Sequence, residues 1–302
     1  MAQSPLNYTG GKFKLLPQIL PLFPQDIHIF VDLFCGGGDV GTSVQCDYVH
    51  FNDIDRNVIG ILSAFHALSR EEIVQYIHSL IHQFSLSDVS TNGYAYYNCD
   101  SSKGLGNYNR EPFNRLKAHF NQLQQRDYHY YILLYVLVIY SFNNQIRFNR
   151  QGQFNLPVGK RDFNAKMQQK LDLFINRLHE IQCDFSSVDF RQIDIEALCE
   201  KDFVYADPPY LITCATYNEQ GGWNETLEYA LYHYLDELNA HHIRFALSNV
   251  LTSKGKENHI LKEWLANNPQ YICHHLNYDY SNSNYHTIDR LTGSDEVLVT
   301  NY

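Results

Sequence analysis

Residues 27–33 (IHIFVDL) form a β-branched, apolar run that stops at Phe34-Cys35-Gly36-Gly37-Gly38. That pattern predicts a buried parallel strand followed by a glycine turn. Tyr48–Asn52 (YVHFN) predicts a second strand, ending at Asp53-Ile54-Asp55. Residues 57–68 then switch to helical spacing, with Ile61, Leu62, Phe65 and Leu68 as the apolar stripe. Residues 88–109 are rich in Ser, Asn, Gly and Tyr and read as a loop, whereas 110–125 and Tyr128–Tyr140 read as helices. Residues 142–160 (FNNQIRFNRQGQFNLPVGK) are polar, Asn-rich and turn-forming, without a steady period. Helical spacing returns over 164–181. Phe203–Ala206, 244–248 (RFALS) and 296–300 (EVLVT) predict further short strands, separated by helical segments near 225–240 and 257–266. Strands alternating with helices predict an α/β fold around a parallel sheet. The stretch 58–165 breaks that alternation. It is expected to be an inserted, mostly helical domain, with 1–57 and 166–302 forming the sheet domain.

A chain of 302 residues has room for both. Hydrophobic content of 44% supports a real core, and 19% charged residues argues against disorder. The seven cysteines are scattered, with no CxxC or Cys/His ligand spacing, so neither a metal site nor a disulfide framework is expected. Reduced thiols fit a cytoplasmic location. The opening MAQSPLNYTGGK lacks the apolar core of a signal peptide. The most apolar run, YYILLYVLVIYSF at 130–142, has 13 residues. A membrane helix needs roughly 20, so a buried helix is expected and no membrane partner. Net charge is −10, yet residues 103–177 hold twelve Lys and Arg against four Asp and Glu, a local balance of +8. A cationic middle on an acidic body suits a polyanion met through one face.

The stretch DLFCGGGDVG has the ingredients of a nucleoside-cofactor site. Glycines let the backbone approach a ligand, and Asp53, at the end of the next strand, stands where a carboxylate would take ribose hydroxyls. The pattern is G-G-G-x-x-G rather than the G-x-G-x-x-G that seats a pyrophosphate. A cofactor without phosphate, such as S-adenosylmethionine, suits a turn that carries Asp39. Further on, VYADPPY at 204–210 places a carboxylate, two prolines and an aromatic ring after an apolar strand. The prolines stop the strand and stiffen the next few residues. A carboxylate at a strand's carboxyl end lies where open α/β sheets bind ligands. Asp207 and a neighbouring backbone carbonyl can each accept one N–H of an exocyclic base amine, freeing its lone pair, while Tyr210 stacks on the ring. Stacking of this kind contributes roughly 1–3 kcal/mol.

On these motifs, the chain resembles the Dam-like (D12, alpha group) adenine-N6 DNA methyltransferases. The matching pieces come in that family's order: YTGGK at 8–12, DLFCGGGDVG at 32–41, FNDID at 51–55, the 142–160 segment, VDF at 188–190, VYADPPY at 204–210, LSN at 247–249 and SDEVLVTNY at 294–302. The resemblance implies a Rossmann-like S-adenosylmethionine-dependent sheet with an inserted target-recognition domain. It implies that Tyr8, Lys12, Phe34, Gly36, Asp53, Ile54, Asp189, Phe190 and Asp207 bind the cofactor. Tyr8 stands where some members have Trp. Asp207, Pro208, Pro209 and Tyr210 would form the catalytic motif. Chemistry on a paired base needs the base out of the stack. Asn143, Asn144, Gln145, Arg147, Asn149 and Arg150 are side chains suited to base edges, and Lys160 and Arg161 to phosphates. In the family the arginine aligned with Arg147 reads a guanine. GATC-specific members carry FNG-L-x-R here, whereas this chain has Asn144 and Gln145, which points away from plain GATC recognition. Double-stranded DNA is the expected partner, with a cognate restriction endonuclease acting separately. Two other readings stay open: cytosine-N4 or RNA methylation, and an inactive DNA-binding protein with this fold.

Overall fold

A computed structural model describes residues 1–7, 10–213, 222–277 and 293–302. The chain divides into two compact units. One comprises Met1–Gly11, Gly36–Thr42 and Asp55–Ile181; the other comprises Lys12–Cys35, Ser43–Ile54 and Gln182–Tyr302.

The second unit is built on strands β1 (Ile29–Asp32), β2 (Tyr48–Asn52), β3 (Cys183–Ser186), β4 (Phe203–Ala206), β5 (Arg244–Ser253), β6 (Lys256–Glu257), β7 (Ile272–Leu276) and β8 (Asp295–Thr300). Their order is β3-β2-β1-β4-β5-β8-β7, with β6 against β5. The first five run parallel, and β8 pairs antiparallel with both β5 and β7. This is the α/β sheet that the alternation predicts. Every residue of β4 is buried, as expected of a strand covered on both faces. At the amino ends of the central strands, the buried Asp202 carboxylate accepts from the backbone N–H of Ile29 and of Cys199, tying β1 to the turn before β4. A short helix, α1 (Leu16–Ile19), lies in the same unit.

The first unit is helical: α2 (Arg56–Ala67), α3 (Arg70–Phe84), α4 (Val89–Tyr96), α5 (Gly106–Phe120), α6 (Tyr128–Tyr140) and α7 (Ala165–Glu180). α6 carries the apolar run and is buried along nearly its whole length, forming the middle of the unit. α2 meets it so closely at Gly60 that a Cβ there would lie 2.1 Å from the Tyr131 ring. No helix among the described residues is long and apolar enough to cross a membrane.

The described residues differ from the sequence-based expectation in the following ways. The span 88–109 is not a single loop. The Asp88 side chain accepts from the Thr91 N–H and starts α4, which bends at Gly93 (φ +71°), and α5 already begins at Gly106. Also, residues 1–11, 36–42 and 55–57 and α7 group with the helical unit, where the sequence-based division put them with the sheet. Completing the sheet unit, α8 (Glu225–Ala240) and α9 (His259–Asn267) lay Leu231, Leu235, Leu238, Leu261 and Trp264 on the core with Val31, Val204, Phe245 and Val297.

After α6 the chain folds back on itself, pairing Ser141 with Val158 and Phe148 with Phe154. The turn is held by Asn149, whose side-chain oxygen accepts from the N–H groups of Gln151 and Gln153, and by Gly152 at φ +74°. At the base of this ribbon a Cβ on Gly159 would stand 2.3 Å from the Ser141 carbonyl oxygen. Backbone cannot step aside as a side chain does. Gly159→Ala is therefore expected to destabilise the protein by about 1–3 kcal/mol in urea unfolding. An unchanged midpoint would show that the ribbon base is looser than described.

Candidate active site

In an open α/β sheet, ligands bind outside the carboxyl ends of the strands where the order reverses. Here the reversal falls between β1 and β4. Asp32 pairs with Tyr205, and the Leu33 N–H donates to the Tyr205 carbonyl at 2.9 Å. The two strands therefore deliver Phe34 and Asp207 to the same edge.

Asp207 is the centre of the arrangement. Lys12 Nζ lies 2.9 Å from its Oδ1, with the lysine side chain 6% exposed and the aspartate 17%. The Tyr210 hydroxyl donates to the same Oδ1 at 3.1 Å, and Lys12 Nζ stands 4.8 Å from the centre of the Tyr210 ring. Burial pushes the Asp207 carboxyl above its usual range, against the pull of Lys12 and then Tyr210, while Glu296 adds to the rise. Burial, then the Asp207 charge, pushes the Tyr210 phenol up, so it remains a donor. Pro208 is buried and Pro209 exposed, and they carry the chain rigidly from Asp207 to Tyr210.

The end of β2 is stitched to its neighbours by Asn52, which lies in the FNDID stretch but is not among the expected site residues. Its amide donates to the carbonyls of Leu33 and Val188 at 3.1 Å each, and its oxygen accepts from the Ser186 hydroxyl and the Val188 N–H. The Cys35 N–H in turn donates to the Asn52 carbonyl at 2.8 Å. One buried side chain thus sets the ends of three strands. The only signal for it is an amide at a strand's last position. Asp53 follows, buried, and Ile54 follows that at 69% exposed. Burial, then Asp53 and Asp32, pushes the Cys35 thiol far up, which makes it inert as a nucleophile.

The other expected cofactor residues are distributed unevenly. Phe34 is half-buried, its ring 5.5 Å from that of Phe190. Phe190 is 4% exposed, because it joins the core against Tyr234. Asp189 forms a two-pronged pair with Arg191 at 2.8 Å on each arm, which holds its carboxyl below the usual range. Gly36 has φ +47°, a left-handed conformation that favours glycine, and opens the 36–42 segment of the helical unit. Tyr8 lies outside the described residues.

Within the helical unit, Asn143, Gln145, Arg147, Arg150, Lys160 and Arg161 are exposed and Asn149 is half-buried. Arg147 is braced by Asn155, its Nε donating to the amide oxygen at 2.8 Å and an outer nitrogen to the carbonyl at 3.3 Å. Asn144 differs from the rest. It is buried, and its amide donates to the carbonyls of Val138 and Ile139 at the end of α6. Both amide donors of Asn144 are therefore engaged in capping the end of α6.

The α/β sheet thus carries a carboxylate held by a buried lysine at its reversal point and a buried aspartate at the end of β2. Residues 8–281 match the family described as D12 class N6 adenine-specific DNA methyltransferase, and the chain belongs to that family. It is 40% identical over 306 residues to the type II methyltransferase M.FokI of Planomicrobium okeanokoites, covering 99% of this chain and 43% of that protein. Over 306 residues it is 38% identical to the modification methylase StsI of Streptococcus sanguinis, again covering 99% and 43%. Over 312 residues it is 33% identical to the modification methylase LlaI of Lactococcus lactis subsp. lactis, with the same coverage. The chain thus spans less than half the length of each of these three relatives.

Proposed function

We propose that this chain transfers a methyl group from S-adenosylmethionine to the N6 amino group of adenine within a short duplex DNA sequence. The observation that carries this reading is the Lys12–Asp207–Tyr210 cluster at the reversal point, in a chain of the D12 family. The residues present suit the cofactor. We assign buried Asp53 at the end of β2 to the ribose hydroxyls, while exposed Ile54 and half-buried Phe34 offer apolar surface for a purine and the Asp207–Lys12 pair presents both charges that an amino-acid end group needs. When bound, the cofactor supplies an electrophilic methyl on a sulfonium.

The protein's part is to prepare the nucleophile. Lys12 and Tyr210 both meet Oδ1 of Asp207. We assign Oδ2 to accept one N–H of the target amine and the Pro208 carbonyl to accept the other. Those two acceptors draw the nitrogen toward tetrahedral geometry and hold its lone pair toward the methyl. The Asp207 carboxylate would steady the positive charge that grows on that nitrogen and, with water, would take its surplus proton. The buried, proton-bearing Cys35 takes no part.

We assign duplex contacts to the helical unit through Asn143, Gln145, Arg147, Asn149 and Arg150, with Lys160 and Arg161 on phosphates. Arg147→Ala is expected to lose about 1–3 kcal/mol of discrimination at one base pair, measured by competition between cognate and substituted duplexes. A uniform loss across all sequences would instead make Arg147 a phosphate contact. The relatives' names as modification methylases favour a role in a restriction–modification system, with an endonuclease acting separately. The decisive experiment digests methylated duplex to nucleosides. N6-methyladenine supports the reading; N4-methylcytosine, methylated RNA alone, or binding without transfer would replace it with one of the competing readings.

A further inference from the structure

Trp223 stands just before α8, its ring 5.6 Å from Phe34 in an edge-to-face contact and 6.0 Å from Phe190. Its indole N–H donates to Oε2 of Glu228. Glu228 is fully buried, and its Oε1 also accepts from the Tyr232 hydroxyl at 2.5 Å and from the amides of Asn249 and Asn258 at 3.1 Å each. Four donors on one carboxylate make a rigid anchor. Burying a carboxylate is costly for stability, and replacing such a group by packed apolar residues is often neutral or favourable. Yet the indole that this anchor holds is itself only half-buried. The arrangement fixes the angle of a ring that keeps part of its surface open.

The aromatic cluster shows which of its rings can meet a ligand. Phe190 is 4% exposed and packs 5.9 Å from Tyr234, so little of its face is available. Phe34 and Trp223 both retain open surface. A flat heteroaromatic ring entering this cluster therefore meets those two.

We propose that Trp223, positioned by Glu228, forms one wall of the subsite that takes the purine of the cofactor. This role rests on the S-adenosylmethionine reading. An aromatic wall that stacks on a base changes affinity about 10-fold or more. Trp223→Ala should accordingly raise the Kd and KM for S-adenosylmethionine by about that factor, with a smaller effect on kcat. Trp223→Phe should restore most of the affinity, and Glu228→Gln should fall between the two.

The chain has two tryptophans, and the second, Trp264, is buried against Tyr232 with its N–H on Asp236. Tryptophan emission titrated with S-adenosylmethionine should therefore quench saturably in the unmodified protein and lose that response in Trp223→Phe. Calorimetry on the same samples separates two failures. If the unmodified protein binds the cofactor while Trp223→Ala binds equally well and emission is silent, the wall is wrong and the function stands. If the unmodified protein neither binds nor transfers methyl, the function falls and this role with it. Should Trp223→Ala fail to fold, the emission comparison with Trp223→Phe decides alone.

Discussion

Asp207→Asn is expected to lower kcat for methyl transfer about 10³-fold while the protein stays folded, in line with the loss of one well-placed electrostatic group. The asparagine oxygen can still accept from Lys12 and Tyr210, so the two contacts at Oδ1 survive. What changes is the other position, where an NH₂ replaces an acceptor. It would then point a donor at the N–H of the incoming amine, and the negative charge that steadies the developing cation is gone. Asp207→Ala should reach a similar rate but also leave the Lys12 ammonium, 6% exposed, without this partner. It should therefore unfold at lower urea than Asp207→Asn. Single-turnover assays with saturating cofactor and DNA measure the rate, and near-identical circular dichroism checks the fold. Asp207→Asn at more than a tenth of the normal rate would remove the carboxylate from the mechanism assigned to it.

How far the chain discloses its own fold depends on burial. β4 is legible because a strand covered on both faces has no polar side to interrupt it. β3 (CDFS) and β7 (ICHHL) are not, because edge strands carry polar residues that hide a short alternation. α3 goes unpredicted even though Ser69 and Glu72 form a reciprocal cap at its start. α4 is the opposite case. It has no buried residues and a glycine bend, so no apolar stripe exists to be read. The site divides the same way. Asp207 and its prolines form a local motif, and Asp53 a strand-end motif. Lys12 acquires meaning from the family resemblance, because only the fold brings it to 2.9 Å from Asp207. Asn52 acts through partners distant in the chain, with only its place at a strand's end to mark it, and nothing local marks Trp223 and Glu228. Asn144 shows the converse. An amide in a polar run turns inward because the end of α6 has carbonyls to satisfy.

Lys12→Met should lower kcat/KM for S-adenosylmethionine about 10²-fold near neutral pH, somewhat less than a fully buried pair would lose, since Asp207 keeps 17% of its surface in solvent. The pH dependence is the sharper test. Burial raises the Asp207 carboxyl, Glu296 raises it further, and Lys12 is the largest influence drawing it back, with Tyr210 behind. Without the ammonium the carboxyl holds its proton to higher pH. In the mechanism assigned to Asp207, transfer needs the ionised form, so activity should be lost as pH falls through the folded-state pKa, and the acid limb of the profile should move upward in the variant. Stability runs the other way. A carboxyl whose folded pKa lies above its unfolded value favours the fold when protonated, and that contribution fades as pH rises. Lys12→Met should therefore trail the unmodified protein more in alkaline than in acidic urea titrations. An acid limb that stays in place, with kcat/KM reduced, would mean that Lys12 serves the cofactor alone and does not govern the charge on Asp207.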